Sequence, residues 1–577
     1  MREISVADYF VEFLVANGVT DVFGYQGGMI AYIFDSLGKY KDKINYHSCA
    51  TEQGAALAAC SYAQASGKLG VAISTSGPGF TNMVTGIANA WFDSIPVLFV
   101  SGNVNTKDKK RSMDLRQLGF QEIQAADIAK SVTKVSFEAE LDTDYVKCFN
   151  DLYTVAMSGR KGPVYLDLPI NVCRETVTID KAESVVLDAD VAAVDVTAIT
   201  DALAGCSRPV IIAGAGITQA GCRDKFRALI NKLGVPVVCT LPAVDILPSE
   251  SKYMMGYIGG TARREAGIVL QNADCVISMG TRLCSKQVGH NLSLFAPRAR
   301  TFVRVDIDNT ELERKLRNDE IQLREDIRAV LAGLEEYYSN AAYVIGNYKN
   351  WSDNCAEMKQ LLKKYDMTYG NKLFNELSEM LPNDANIILD VGKNMTYGGQ
   401  SAVVKKDSRM YMSAGLGAMG YAIPAAIGAV YGSGRPAYAF TGDGGAQMNI
   451  QELNTIAKNK LPVKLIVFNN KALGNIRIFQ EQYLGSRFVA TGETEGDYFS
   501  CDFKAIAEAY GINAYKIGSA EDMRELKDKL YDDKAYLFEI VYDDCPVMPG
   551  IVAGGDFLKE DSGLDNAVIE RIKQLMQ

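Results

Sequence analysis

Histidine is almost missing from this chain, with only His47 and His290 among 577 residues. That scarcity excludes a histidine-rich zinc centre. A Ser-His-Asp hydrolase would have to use one of these two, and neither lies beside a recognisable nucleophile. Both are read as packing or polar contacts. The twelve cysteines show no CxxC or other metal-ligand spacing, so they are read as reduced and mostly buried. Positive charge is in deficit: the formal net charge of -10 argues against nucleic acid or an anionic membrane as partner. No apolar run reaches the ~18 residues needed to cross a bilayer. No basic and apolar signal opens the chain, and an amphipathic helix over 7–17 begins the fold directly. A cytoplasmic location is the expectation. Acid-base chemistry in such a chain needs a source other than histidine, and a cofactor carrying its own base would supply it.

Hydrophobic residues make up 48% and charged residues 23%, as in ordinary globular proteins. The length predicts about 3–4 domains. Apolar runs at 71–74, 97–100 and 164–168 read as strands alternating with helices. A polar, less regular stretch over 175–196 reads as a linker. Further strands are expected at 209–213, 235–240, 275–279 and 301–306, followed by a tyrosine- and charge-rich helical connector over about 327–364. A last set falls at 387–390, 437–441, 463–468 and 537–541. Strands alternating with helical patterns of 10–15 residues imply parallel sheets. The fold class expected is therefore α/β, three successive doubly wound parallel-sheet domains. Their expected bounds are 1–175, 190–340 and 365–550, with a C-terminal tail over 551–577.

The most specific stretch is Gly442-Asp443-Gly444-Gly445, with Asn470 following 27 residues after the aspartate. The run 437–441 reads as a buried parallel strand, so Asp443 stands at its carboxyl end. A helical segment over 448–458 leads to the strand 463–468, which delivers Asn470. Both oxygen donors thus emerge at one sheet edge, where open α/β folds bind ligands. A hard divalent cation such as Mg²⁺ takes one or two protein oxygens and completes its shell with phosphate oxygens. Gly444 and Gly445 let the backbone come close to a diphosphate.

This arrangement resembles the diphosphate-binding motif of the thiamine diphosphate enzymes. From end to end the chain resembles their acetolactate (acetohydroxyacid) synthase branch. The resemblance implies that the first domain holds an aminopyrimidine and the third a diphosphate, while the middle domain binds FAD, ADP or nothing. It implies thiamine diphosphate and Mg²⁺ as cofactors, with Asp443, Asn470 and Ala472 at the metal. Lys393, Asn394, Gly417, Met419, Gly444, Gly445, Leu473 and Gly474 would lie around the rest of the cofactor. Lys393 and Asn394 stand where the family places a Gln-His pair, and either can donate to phosphate. Met419 matches the apolar residue that wedges between the cofactor rings. The middle domain's Gly214, Gly216, Thr240, Leu241, Gly280, Arg282, Asp306 and Ile307 resemble FAD contacts, with Arg160 a further one. Cys284-Ser285 replaces an acidic pair usual there.

Glu52, in Thr51-Glu52-Gln53-Gly54-Ala55-Ala56, matches the family's activating glutamate. A carboxyl hydrogen-bonded to the aminopyrimidine lets the cofactor generate its own base, and that carboxyl must keep its proton near neutral pH, which a buried apolar site favours. The small residues that follow suit a helix packed tightly against a cofactor. Gly28, Gln121 and Lys134 match further residues around the reactive carbon, beside the turn Ser76-Gly77-Pro78-Gly79. Gln26, Met29, Phe120, Arg477 and Phe479 match the substrate side. Synthases carry Pro and Ala where Gln26 and Met29 stand, His where Thr51 stands, and Trp where Phe479 stands. These departures gather on the acceptor side.

The function implied is decarboxylation of a 2-keto acid such as pyruvate, with transfer of the two-carbon unit to a second carbonyl compound, in a homodimer or homotetramer. The alternatives are a 2-keto acid decarboxylase or acyloin lyase of the same family, and a nucleotide-binding regulatory protein that has lost the chemistry.

Overall fold

Apolar runs in this chain become strands buried on both faces, the pattern of a parallel sheet covered by helices. The structure, a computed structural model, describes residues 1–187, 191–339, 348–363, 365, 367–543, 546–547 and 563–577. Three six-stranded sheets, parallel throughout, follow one another along the chain. The first runs Asn45–Ser48, Asp21–Gly24, Gly70–Ser74, Val97–Asn103, Val164–Pro169, Val135–Glu138 across its width. The third repeats that winding with Arg409–Met412, Asn386–Leu389, Ala437–Gly442, Val463–Asn469, Tyr536–Val541 and Asn513–Ile517. In both, strand order reverses beside the first strand of the domain. The middle sheet runs Met254–Tyr257, Val237–Cys239, Pro209–Ala213, Cys275–Met279, Thr301–Asp306, Ile321–Arg324. That order, 3-2-1-4-5-6 in chain sequence, is the one found in dinucleotide-binding folds.

The strands expected from apolar runs are present, with ends moved by a residue or two; the strand expected over 235–240 shortens to Val237–Cys239. The six edge strands of these sheets went unread; some carry polar residues, as in Asn45–Ser48 and Ile321–Arg324, and the apolar Met254–Tyr257 is only four residues long. The expected linker over 175–196 begins as a strand, Thr176–Ile179, antiparallel to Arg2–Ser5. The helix expected over 448–458 is broken. It starts at Asp443, stops at Met448, and resumes as Leu453–Lys458 after a tight turn over Ile450–Glu452. The C-terminal segment ends in a helix, Asn566–Leu575, whose Ile569 and Ile572 join the middle domain's core beside Trp351 and Met358. Residues 548–562, including the start of the expected tail, lie outside the described residues.

The first and third domains share one apolar core. The helix Glu52–Ser66 lies against the helix Ala422–Ser433, and small residues set the spacing. A Cβ on Gly428 would fall 1.9 Å from the Ala58 carbonyl oxygen, and the Ser61 hydroxyl donates to the Ala425 carbonyl at 2.6 Å. The small-residue run after Glu52 therefore sets the close approach of this helix pair.

One buried charge in the first domain is not neutralised by a close partner. Asp167 is fully buried; one oxygen accepts from Asn103 Nδ2 at 2.7 Å and the other has no hydrogen-bond partner. Burial pushes its carboxyl up to about 7 from 3.8. The folded protein keeps this proton to higher pH than the unfolded chain, so wild-type stability falls as pH rises through that window. Asp167→Asn removes the titration. Its stability relative to wild type should rise across the same window by on the order of 2–4 kcal/mol, read as the difference between the two urea midpoints at each pH.

Candidate active site

The site builds from the reversal points of the outer sheets. In the third domain Asp443 follows the strand Ala437–Gly442, and Asn470 follows the neighbouring strand Val463–Asn469. Asp443 is buried, and that burial pushes its carboxyl up to about 6, against the lowering effect of hydrogen bonds from Tyr498 and from the Gly444 and Ala472 amides. The Tyr498 hydroxyl donates to Asp443 Oδ2 at 3.0 Å. Lys393 and Asn394, both buried, open the helix Lys393–Ser401 beside it. A Cβ on Gly474 would fall 2.6 Å from Lys393 Cε and 3.0 Å from Asn470 Nδ2; one on Gly442 would fall 3.1 Å from Asn394 Nδ2. A Cβ on Gly444 would meet Leu473 Cδ2 at 2.8 Å and Met419 Cε at 3.2 Å. The glycines thus leave a cradle walled by a carboxylate, two carboxamides, an ammonium group and two apolar side chains. The Ala472 carbonyl accepts from the Gly474 amide at 3.0 Å.

The loop that carries Met419 is pinned at both ends by buried carboxylates. Asp93, from the first domain, accepts from the Ala414 and Gly415 amides at 3.0 and 2.8 Å. Asp390 accepts from the Gly420 and Ala422 amides at 2.9 and 3.1 Å and from the Thr441 hydroxyl at 3.1 Å. Burial pushes both up to about 6. Gly417, at φ +73°, takes the left-handed turn that the loop needs.

In the first domain Glu52 begins its helix and accepts from Asn82 Nδ2 at 3.0 Å. Its Oε1 lies 3.4 Å from where a Cβ on Gly79 would sit. Gly77 packs 3.1 Å, at its Cβ position, from the Cβ of Gln121, which is itself held in the left-handed region at φ +64°. A non-glycine residue in that region stores strain that the surrounding structure must overcome. Gly27 abuts Thr75, whose hydroxyl oxygen is buried without a partner, as is that of Ser76. Gly28 and Gln26 are exposed nearby, Met29 is half-buried, and Phe120 is 80% exposed. These residues form one group. Lys134 does not join it: its ammonium group donates to the Val155 and Ser158 carbonyls, at the end of the helix Tyr145–Met157, and burial lowers its pKa.

Three family models match the chain in sequence. They are the N-terminal TPP binding domain of the thiamine pyrophosphate enzymes over residues 4–129, their central domain over 196–334, and their C-terminal TPP binding domain over 390–540. The isozyme 2 large subunit of acetolactate synthase from Escherichia coli K12 is 30% identical, over 96% of this chain and 99% of that protein. A probable acetolactate synthase large subunit from Methanocaldococcus jannaschii is 32% identical over 95% and 94%. The large subunit from Lactococcus lactis is 31% identical over 95% and 96%. The chain belongs to the thiamine pyrophosphate enzymes, in their acetolactate synthase-like branch.

As a thiamine pyrophosphate enzyme, the chain places its remaining expected site residues as follows. In the central domain two glycine turns meet at the point where strand order reverses: the Gly216 amide donates to the Gly280 carbonyl at 3.1 Å, and a Cβ on Gly214 would fall 1.9 Å from that oxygen. The glycines are thus required by turn-to-turn contact whether or not a nucleotide binds. Thr240 is buried, Leu241 packs against Gly399, and the Arg282 carbonyl accepts from Arg314. Asp306, pushed up to about 6 by burial, accepts from the Asp308 amide, with Ile307 between them half-buried. Arg160, expected as a further flavin contact, bridges two domains. Its guanidinium donates to Asp308 and Glu311 at 2.8 and 2.9 Å and to the Ser94 hydroxyl, tying the first domain to the central one. In the third domain, Arg477 and Phe479, both expected at the substrate, lie on one helix: Arg477 pairs with Glu495 at 2.7 Å and stacks over Phe488, while Phe479 is 53% exposed beside Tyr483. Asn82, Asp93, Asp390 and Tyr498 are site residues that sequence reasoning did not single out. Asp390 alone carried a signal, as an acid at the end of an apolar run.

Proposed function

We propose that this enzyme is a thiamine diphosphate- and Mg²⁺-dependent carboligase that decarboxylates a 2-keto acid, pyruvate by the resemblance, and passes the two-carbon unit to a second carbonyl compound. The observation that carries this reading is the convergence of Asn470, Lys393 and Asn394 on the glycine positions Gly442 and Gly474, around the buried Asp443. The donor set fits the group: two oxygen donors suit Mg²⁺, and two nitrogen donors suit phosphate oxygens. Thiamine diphosphate, when bound, supplies the electron sink that no protein side chain offers. Met419 and Leu473 give the apolar wall against which its rings would rest. Glu52 offers the carboxyl through which a proton would pass to and from the bound cofactor, and Asn82 fixes the direction of that carboxyl. Gln121 presents its amide from a strained backbone beside the Gly77-Pro78-Gly79 turn. A nucleotide, FAD by the resemblance, would lie in the crevice at the strand-order reversal of the central sheet, over the joined Gly214 and Gly280 turns.

The working unit is a homodimer or a pair of such dimers. Glu52 is only half-buried in the single chain, and both half-sites are edged by exposed apolar side chains: Met113, Leu118 and Phe120 in the first domain, Ile476, Phe479 and Phe499 in the third. Exposed patches of this kind mark surfaces that are covered in the assembly. A second copy supplies the apolar surround that a proton-holding glutamate needs.

Acceptor choice is assigned to Gln26, Met29, Phe479 and Arg477. The test supplies pyruvate with competing keto-acid, aldehyde and ketone acceptors and identifies the products by mass spectrometry. Ligated products support the reading, whereas acetaldehyde alone would make the enzyme a decarboxylase. Phe479→Trp combined with Met29→Ala should shift the ratio of keto-acid products by ~10- to 100-fold, the range set by a change of a few methylenes in an apolar pocket. Single-turnover release of CO₂ should stay near wild type. A fixed ratio with collapsed CO₂ release would place these residues in donor activation.

A further inference from the structure

Glu452 is a carboxylate with 0% exposure, and most of its hydrogen-bond donors belong to another domain. It ends the tight turn Ile450–Glu452 that follows the Asp443–Met448 helix of the third domain. Its Oε1 accepts from the Ala50 and Thr51 amides, each at 3.1 Å, and from the Thr51 hydroxyl at 3.3 Å. Its Oε2 accepts from the Ala50 amide at 3.0 Å and from the Thr455 hydroxyl at 2.8 Å. Burial raises its pKa, and these hydrogen bonds act in the opposite direction. Ala50 and Thr51 are the two residues immediately ahead of Glu52, and Thr51 is the residue that caps its helix. Gly54, one turn on, admits the carboxylate: a Cβ there would fall 1.9 Å from Oε1.

We propose that Glu452 is a positioning residue for Glu52, fixing from the third domain the Ala50–Thr51 backbone from which the Glu52 side chain departs. This rests on the reading of Glu52 as the carboxyl that activates the cofactor. The side chain of Glu52 is fixed from the other direction by Asn82. With both its backbone and its carboxyl held, Glu52 has one direction in which to offer its proton. The clasp has a counterpart across the same interface, where Asp93 of the first domain holds the Ala414 and Gly415 amides of the Met419 loop. A carboxylate suits the task because it offers only acceptors to a cluster made only of donors. A glutamine at 452 has a single acceptor oxygen and would turn its NH₂ group toward an N–H or O–H donor.

A misplacement of about 1 Å, even from a change remote from the chemistry, costs on the order of 100-fold in rate. Glu452→Gln should therefore lower kcat by ~10- to 100-fold. The KM for the keto acid and the thermal shift produced by thiamine diphosphate with Mg²⁺ should stay at wild-type values, because the cradle around Asp443 is untouched. In the cofactor-free protein, amide hydrogen exchange at Ala50 and Thr51 should speed up, a readout independent of turnover. Gly54→Ala pushes the same carboxylate aside from the first domain and should give the same signature, and it carries the test if Glu452→Gln fails to fold. A folded variant with fast exchange at 50–51 and wild-type kcat overturns the proposal. So does a loss of kcat that merely tracks lost cofactor affinity or lost thermal stability, the mark of a residue that only glues domains. Glu52→Gln is measured alongside: normal turnover there overturns the reading of Glu52 itself, whereas an inactive Glu52→Gln beside an unaffected Glu452→Gln overturns only the present proposal.

Discussion

Glu52→Gln should fold as wild type and lose turnover by ~10²–10⁴-fold, the range for removal of a group that moves a proton in the transition state. The amide keeps the size of the side chain and can still meet Asn82, so the helix start and its packing against Ala422–Ser433 are preserved. What it cannot do is hold and exchange a proton. The measurement is steady-state turnover of pyruvate at saturating cofactor, with the thermal shift by thiamine diphosphate and Mg²⁺ as the control for binding. Unchanged cofactor binding with lost turnover assigns Glu52 to chemistry. Turnover near wild type would remove Glu52 from the site.

Asp443→Ala should fail for a different reason. It deletes an anionic oxygen from the cradle and frees the Tyr498 hydroxyl and the Ala472 amide that now bond to it. Activity should fall to near background at ordinary metal concentrations and return only at high Mg²⁺ and high cofactor, because a weakened site is refilled by mass action. The stabilisation of the protein by added cofactor should shrink in parallel. A wild-type thermal shift would place the metal elsewhere. The two inactive variants also test the assembly. Where Glu52 of one chain serves the cradle of the other, coexpressed Glu52→Gln and Asp443→Ala chains restore one intact site in each mixed dimer. About a quarter of wild-type activity then returns under random pairing. No recovery in proven mixed dimers would place both residues in one site of one chain.

The sequence disclosed most central strands, because a strand buried on both faces leaves an uninterrupted apolar run; the short Asp21–Gly24, opened by an aspartate, was missed. Edge strands such as Asn45–Ser48 face solvent on one side, and their polar residues hide them. Asp443 and Asn470 were legible because their donors follow adjacent strands at a fixed spacing. Glu452 stood in the same run, Gln451-Glu452-Leu453, yet its task was not readable there. Its partners lie 401 and 402 positions away, and no local pattern records a contact of that separation. Lys134 is the reverse case. A lysine at the expected spacing matched a residue around the reactive carbon, but in the fold its stem is half-buried and its head meets the carbonyls at the end of a helix. Charge type and spacing identify a donor, but only the fold says what receives it.

The pairing of Glu52–Ser66 with Ala422–Ser433 bears on how the chain matures as it leaves the ribosome. The first of these helices emerges early, rich in alanine, glycine and serine and carrying a single charge, Glu52. Its partner is synthesised only after the whole central domain. Until then the first domain carries an open apolar seam, and domains formed in order of synthesis are prone to wrong pairings while such surfaces wait. The long sequence separation also slows the closing search. Closure of the shared core thus waits on a late event, the arrival of residues 422–433.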